Sequence, residues 1–93
     1  MSGDNTLMVL RLYVAGKNVN STLAIENLEK LCRRCNSFEY DLKIVDVLKN
    51  PENALEKGIF VTPALEILEP APGGMVYGTL SDSAVLKPFF PNL

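Results

Sequence analysis

Ninety-three residues, 47% of them hydrophobic and 22% charged, have the composition of one small globular domain with a single core. A formal net charge of −2, with cations scattered rather than gathered in a stripe, argues against a nucleic-acid partner, and no apolar run approaches the ~20 residues needed to cross a bilayer. There is no histidine, so the commonest general base and metal ligand are missing; with only two cysteines, neither a metal site nor another cofactor is expected.

The opening stretch, "MSGDNT", shows no export signal, which makes the cytoplasm and reduced thiols the expectation. "LMVLRLYVA", Leu7 to Ala15, follows as a strand. Met8, Leu10, Leu12 and Val14 fall on one face; Leu7, Val9, Arg11 and Tyr13 fall on the other. Both faces are mostly apolar, which predicts a central strand with a layer on each side. "GKNVNS" is a turn, and Asn20 or Ser21 is the predicted cap of a helix from Thr22 to Arg34. Ala24, Leu28, Leu31 and Cys35 follow helical spacing, as do Ile25, Leu28 and Cys32, with Glu26, Asn27, Glu29, Lys30, Arg33 and Arg34 outside. "NSFEYD" reads as a loop and "LKIVDVL", Leu42 to Leu48, as the second strand, giving a parallel βαβ unit.

"KNPENALEKG" is a punctuated short helix: Asn50 at its cap, Pro51 first, Gly58 ending it. The apolar run Ile59 to Val61 leads to Thr62-Pro63. A proline belongs at a strand start or edge, and the strand predicted after it is Ala64 to Leu68. Gly73-Gly74 suits a hairpin to a return strand, Met75 to Leu80. Ser81 would cap a last helix from Asp82 to Lys87, which Pro88 stops. The order β-α-β-α-β-β-α makes this an α/β chain of thioredoxin type, one domain over residues 1–93, with sheet order 2-1-3-4.

Cys32 and Cys35 in "LCRRC" raise the question of redox chemistry. An attacking thiol gains acidity at a helix N-terminus. Here that place is "GKNVNS", which holds no cysteine, whereas the pair falls in the helix's last turn, where the dipole is negative. The pair therefore reads as small apolar packing residues. No phosphate-loop spacing accompanies the glycines.

Several stretches together resemble the KaiB family of clock proteins: "LRLYVAG" (Leu10 to Gly16), Asn20-Ser21, "LKIVDVLKNP" (Leu42 to Pro51), "TPAL" (Thr62 to Leu65) and "GTLS" (Gly78 to Ser81). The resemblance implies a non-enzymatic protein-binding module. Its partner would be a KaiC-like ring ATPase whose phosphorylation state it modulates, with KaiA- or SasA-like proteins involved and no nucleic acid or membrane. It also implies a homodimer or homotetramer and a switch between two folds. The thioredoxin-like arrangement is one of them; the alternative is a ground state with a rearranged C-terminal half. Thr62, Pro63 and Gly78 would be the fold-determining positions. Beyond Ser81 the family continues with a long helix, where this chain has "SAVLKPFFPNL", broken by Pro88 and Pro91.

The second strand lies at an edge in this order, so the exposed segment from Val47 to Gly58 beside it is the expected docking surface. Lys49, Asn50, Glu56 and Lys57 are the candidate contacts. Two other functions fit the same frame: a degenerate thioredoxin- or glutaredoxin-like thiol oxidoreductase using Cys32 and Cys35, and a sensor-like domain binding a histidine kinase.

Overall fold

In the computed structural model, which describes residues 7–34 and 39–90, β1 (Leu7–Val14) is the inner strand around which the rest is arranged. It pairs in parallel with β2 (Glu39–Asp46) on one side and antiparallel with β3 (Ala64–Glu69) on the other. β4 (Gly74–Tyr77) pairs antiparallel with β3, giving the sheet order β2-β1-β3-β4. This is the expected order. The helices are α1 (Val19–Arg34), α2 (Pro51–Lys57) and α3 (Ser83–Leu86).

The pleat of β1 divides the molecule. Met8, Leu10, Leu12 and Val14 point to one face and are buried with Ala24, Leu28, Leu31 and Cys32 of α1, Leu86 of α3 and Phe90 beyond it. Leu65, Ile67 and Val76 complete this larger core from the neighbouring strands. Tyr13 points to the other face and is buried with Ala54 of α2, Ile59 and Ala64, with Val45, Val47 and Met75 packed at the margin. Helices thus cover both faces, as a strand apolar on two sides requires.

Local chemistry sets the boundaries, and several differ from those predicted. α1 begins at Val19, because the side chain of Asn18 accepts from the Ser21 amide at 2.8 Å and caps the helix. Ser21 sits inside the first turn, buried, where its hydroxyl accepts from the Ala15 amide at 3.4 Å. β2 starts at Glu39 within the predicted loop and ends at Asp46, so Val47 and Leu48 belong to the following turn. β4 stops at Tyr77, three residues short of the prediction, because Gly78 (φ 104°) and Leu80 (φ 63°) leave the extended region. Asp82, not Ser81, caps α3 by accepting from the Ala84 amide at 3.0 Å. α2 has the bounds read from its punctuation, with Gly58 left-handed at φ 70°. Cys35 lies outside the described residues.

Candidate docking site

Asp46 organises the exit from β2. One of its carboxylate oxygens accepts from the backbone amides of Gly16 and Leu48, each at 3.0 Å. Its carbonyl accepts from the amides of Lys49 (3.1 Å) and Asn50 (3.0 Å), and from the Asn50 side chain at 3.2 Å. The Gly16 amide, then that of Leu48, holds the Asp46 carboxyl below the usual carboxylate range. A single acidic residue therefore pins the turn to the β1–α1 loop and sets where α2 starts. Asn50 occupies the cap position but spends its side chain on Asp46, and makes no side-chain capping bond to α2.

The consequence is a shallow surface depression of about 350 Å³ lined by Lys49, Asn50, Pro51, Glu52, Asn53 and Glu56. Three of the four candidate contacts, Lys49, Asn50 and Glu56, meet there. Lys57 does not line it; it is exposed at the last position of α2. The lining carries one ammonium and two carboxylates on exposed side chains, suited to pairing with charges on another surface and holding no nucleophile–base pair.

Exposed apolar side chains in the same connection were not foreseen. Phe60 is 81% exposed, Leu55 70% and Leu48 69%, and Val61 is also open to solvent. Leu55 had a signal in the sequence: it adjoins Ala54, and two successive helix positions cannot both face one core. Phe60 and Val61 had none, since an apolar run before a strand reads as core. Only Ile59 of that run is buried.

Thr62-Pro63 enters β3 through a cis peptide bond, with Pro63 buried and Thr62 half-buried. The Pro63 carbonyl accepts from the Gly78 amide at 2.9 Å, so two of the three positions named as fold-determining meet where β3 starts and β4 ends. Ala64 pairs with Tyr13, which puts Pro63 at the end of the sheet from which the chain enters α1. Cys32 lies thirteen residues into α1, about 20 Å along its axis from Val19 at 1.5 Å per residue, and is buried. The turn beside the proline contributes Gly16, Lys17 and Asn18, and no thiol.

Tyr13 is the strongly perturbed titratable group. Burial, then a hydrogen bond from its hydroxyl to the Glu66 carboxylate at 3.0 Å, pushes its pKa up to about 12. It is wholly enclosed, and its role is to hold β1 to β3 rather than to meet a ligand. Among the described residues no group of three or more Cys, Asp or Glu could hold a metal ion, and no helix is long and apolar enough to cross a membrane.

The KaiB domain family model matches residues 11–90. The "Circadian clock protein KaiB3" of Synechocystis sp. is 38% identical over 80 residues, 86% of this chain and 78% of that protein. The "Circadian clock oscillator protein KaiB" of Trichodesmium erythraeum is 43% identical over 82 residues, 88% of this chain and 79% of that protein. Among solved structures, mitochondrial thioredoxin 3 from Saccharomyces cerevisiae superposes with a TM-score of 0.70 at 17% identity, covering 96% of this chain and 80% of the other. The N-terminal domain of Synechococcus elongatus SasA superposes with a TM-score of 0.62, also at 17% identity, covering 85% and 75%. These two likenesses establish a thioredoxin-like fold and nothing about chemistry. Sequence matched along most of the chain, together with that fold, carries the assignment: this chain belongs to the KaiB family.

Proposed function

We propose that this chain is a non-catalytic clock or signalling component that docks on a KaiC-like ATPase and modulates its phosphorylation state. Its docking surface is the connection from Val47 to Gly58. The observation that carries this reading is the turn built by Asp46, which holds Lys49, Asn50 and Glu56 around one open depression beside exposed Leu48 and Leu55. Charged rim and apolar contact on a pinned element form the usual anatomy of a recognition surface. Lys57, at the end of α2, extends the cationic part of that surface. KaiA- or SasA-like proteins are further candidate partners on the same family grounds, and Thr62, Pro63 and Gly78 are proposed as the fold-determining positions, a reading supported by the hydrogen bond from the Gly78 amide to the Pro63 carbonyl.

The test is a titration of the chain into a KaiC-like ATPase from its own source, read by sedimentation or interferometry. Reversing both lysines, Lys49→Glu with Lys57→Glu, is expected to weaken capture about tenfold, because two exposed attractions become repulsions. Both side chains are exposed, so the fold should not change. Capture unaffected by the reversal removes this segment from the interface.

A further inference from the structure

We propose that the cleft between α1 and the start of α3 binds the phosphoryl group of a phosphate monoester carried on a short carbon stem. The cleft has a volume of about 190 Å³. It lies on the face of the sheet that α1 and α3 cover, opposite the face on which α2 packs, so it is separate from the Val47–Gly58 connection. Lys30 and Arg34 line it from α1, and Ser81 and Ser83 line it from the chain around the start of α3. Buried Leu31, Leu80 and Leu86 supply its apolar part.

Charge in this cleft is all of one sign. Among the described residues no acid lines it, although the chain holds 11 acidic residues against 9 Lys and Arg. Asp82, between the two serines, is engaged elsewhere: its carboxylate accepts from the Ala84 amide at 3.0 Å. Neither Lys30 nor Arg34 forms an ion pair among the described residues. They stand four residues apart on one helix, a spacing at which like charges repel. The helix dipole favours cations in the last turn, where Arg33 and Arg34 sit, but Lys30 is a turn earlier. An anion held by both turns that repulsion into attraction.

The backbone beside the cleft is fixed in an uncommon shape. Leu80 has φ 63°, a left-handed conformation disfavoured for leucine. The side-chain amide of Asn27 donates to the Thr79 carbonyl at 2.8 Å, and the Thr79 and Ser81 hydroxyls are hydrogen-bonded at 3.0 Å. Backbone in such a conformation persists only where its surroundings hold it, and residues of this kind gather at ligand sites. Here the held turn brings two serine hydroxyls into the same cleft as two cations.

The side-chain chemistry selects the ligand. The planar fork of arginine matches two phosphate oxygens, lysine adds a point charge, and serine hydroxyls donate to the oxygen that remains. A phosphate monoester carries about −1.5 to −2 charges on three oxygens near neutral pH, whereas a carboxylate offers one charge and two oxygens. The cleft is smaller than the ~300 Å³ at which pockets for whole drug-sized ligands begin, so it takes a phosphoryl head and a short stem rather than a nucleotide. That head belongs either to a small free ester or to a phosphorylated serine of another protein.

Backbone NMR of the full chain, titrated with glycerol 3-phosphate and separately with a blocked phosphoseryl tripeptide, tests this. The expected result is a set of amide shifts confined to residues 27–34 and 79–86 with at least one probe. Tighter binding of the first makes the ligand a small ester; equal or tighter binding of the peptide makes it a modified protein. Lys30→Gln and Arg34→Gln should each weaken binding about fivefold or more, whereas Arg33→Gln, outside the cleft, should leave it unchanged. Lactate, a small carboxylate, should bind about tenfold more weakly than the phosphoryl probes. All three substituted side chains are exposed, so the fold should persist, and the rest of each spectrum reports whether it does. The proposal is overturned if neither probe shifts those amides at up to about 10 mM, or if lactate binds as well. It is equally overturned if the two cleft variants bind like the parent, or no worse than Arg33→Gln.

Discussion

Phe90→Ala is expected to cost about 3–5 kcal/mol of folding stability, a large share of what a domain of this size holds in reserve. Phe90 is 1% exposed, although it lies four residues past the end of α3 and beyond Pro88. It reaches back into the larger core beside Leu86, and its amide donates to the Leu86 carbonyl at 3.1 Å. The four-residue α3 is too short to be stable alone, so what holds it in place is the burial of Leu86 and Phe90. Removing the ring leaves a cavity at the point where the C-terminal segment closes over β1 and α1. Urea unfolding checks this: the midpoint should fall sharply with little change in slope. Val85→Ala, at an exposed position of the same helix, is the control and should stay within about 0.5 kcal/mol of the parent. A Phe90 variant as stable as the parent would mean that the segment after Pro88 does not pack as described.

Gly73→Ala is expected to be nearly as damaging, at about 2–5 kcal/mol, and for a different reason. Gly73 has φ 72°, and a methyl group there would be driven into the backbone carbonyl of Ile67 across the hairpin. The left-handed conformation costs a residue with a side chain about 1–2 kcal/mol, and an overpacked contact adds about 1–3 kcal/mol. Backbone cannot step aside as the end of a flexible side chain can. Gly58 gives the comparison: its φ is nearly the same, 70°, but nothing lies within 4 Å of where its side chain would begin. Gly58→Ala should therefore show the conformational cost alone, about 1–2 kcal/mol. Thermal denaturation of the two variants side by side isolates the steric part. Equal losses would remove the close β3–β4 turn from the account.

These two positions mark what the residues could and could not announce. The glycine pair signalled a hairpin, and "NPENALEKG" signalled a short helix closely enough to give both ends. In each case the backbone itself demands a particular residue type. Strand β1 was equally plain, because two apolar faces fit only an inner position. The start of β2 was hidden: its outer residues Glu39, Asp41 and Lys43 are exposed, so an edge strand left no burial pattern to follow. The start of α1 was ambiguous because Asn18, Asn20 and Ser21 all suit a cap, and only the geometry chooses Asn18. The end of β4 depended on Leu80 adopting a positive φ, which leucine does not advertise.

The candidate site was legible in part for the same reasons. Lys49, Asn50 and Glu56 flank a turn whose residue types fix its shape, so their convergence followed from local chemistry. Phe60 and Val61 were concealed because their exposure is decided by distant packing: Ile59 alone turns toward Tyr13 and Ala54. The role of Asp46 was concealed as well. Its bond to the Gly16 amide joins residues thirty apart, and no spacing rule announces it.

The same long-range placement bears on thiol chemistry. A thioredoxin-like sheet brings the start of α1 and the buried Pro63 to one end of the molecule, but this chain puts Gly16, Lys17 and Asn18 there. Cys32 is far along the helix, 3% exposed and part of the larger core. A thiol there lacks the solvent access and the positive helix end that would make it a nucleophile.

Disulfide turnover is therefore the most direct measurement of the central claim that this frame serves docking rather than redox catalysis. With insulin as substrate and dithiothreitol as reductant, the full chain should stay at the uncatalysed rate. Cys32→Ser and Cys35→Ser should leave that rate unchanged. Turnover well above background that disappears in either serine variant would contradict the account.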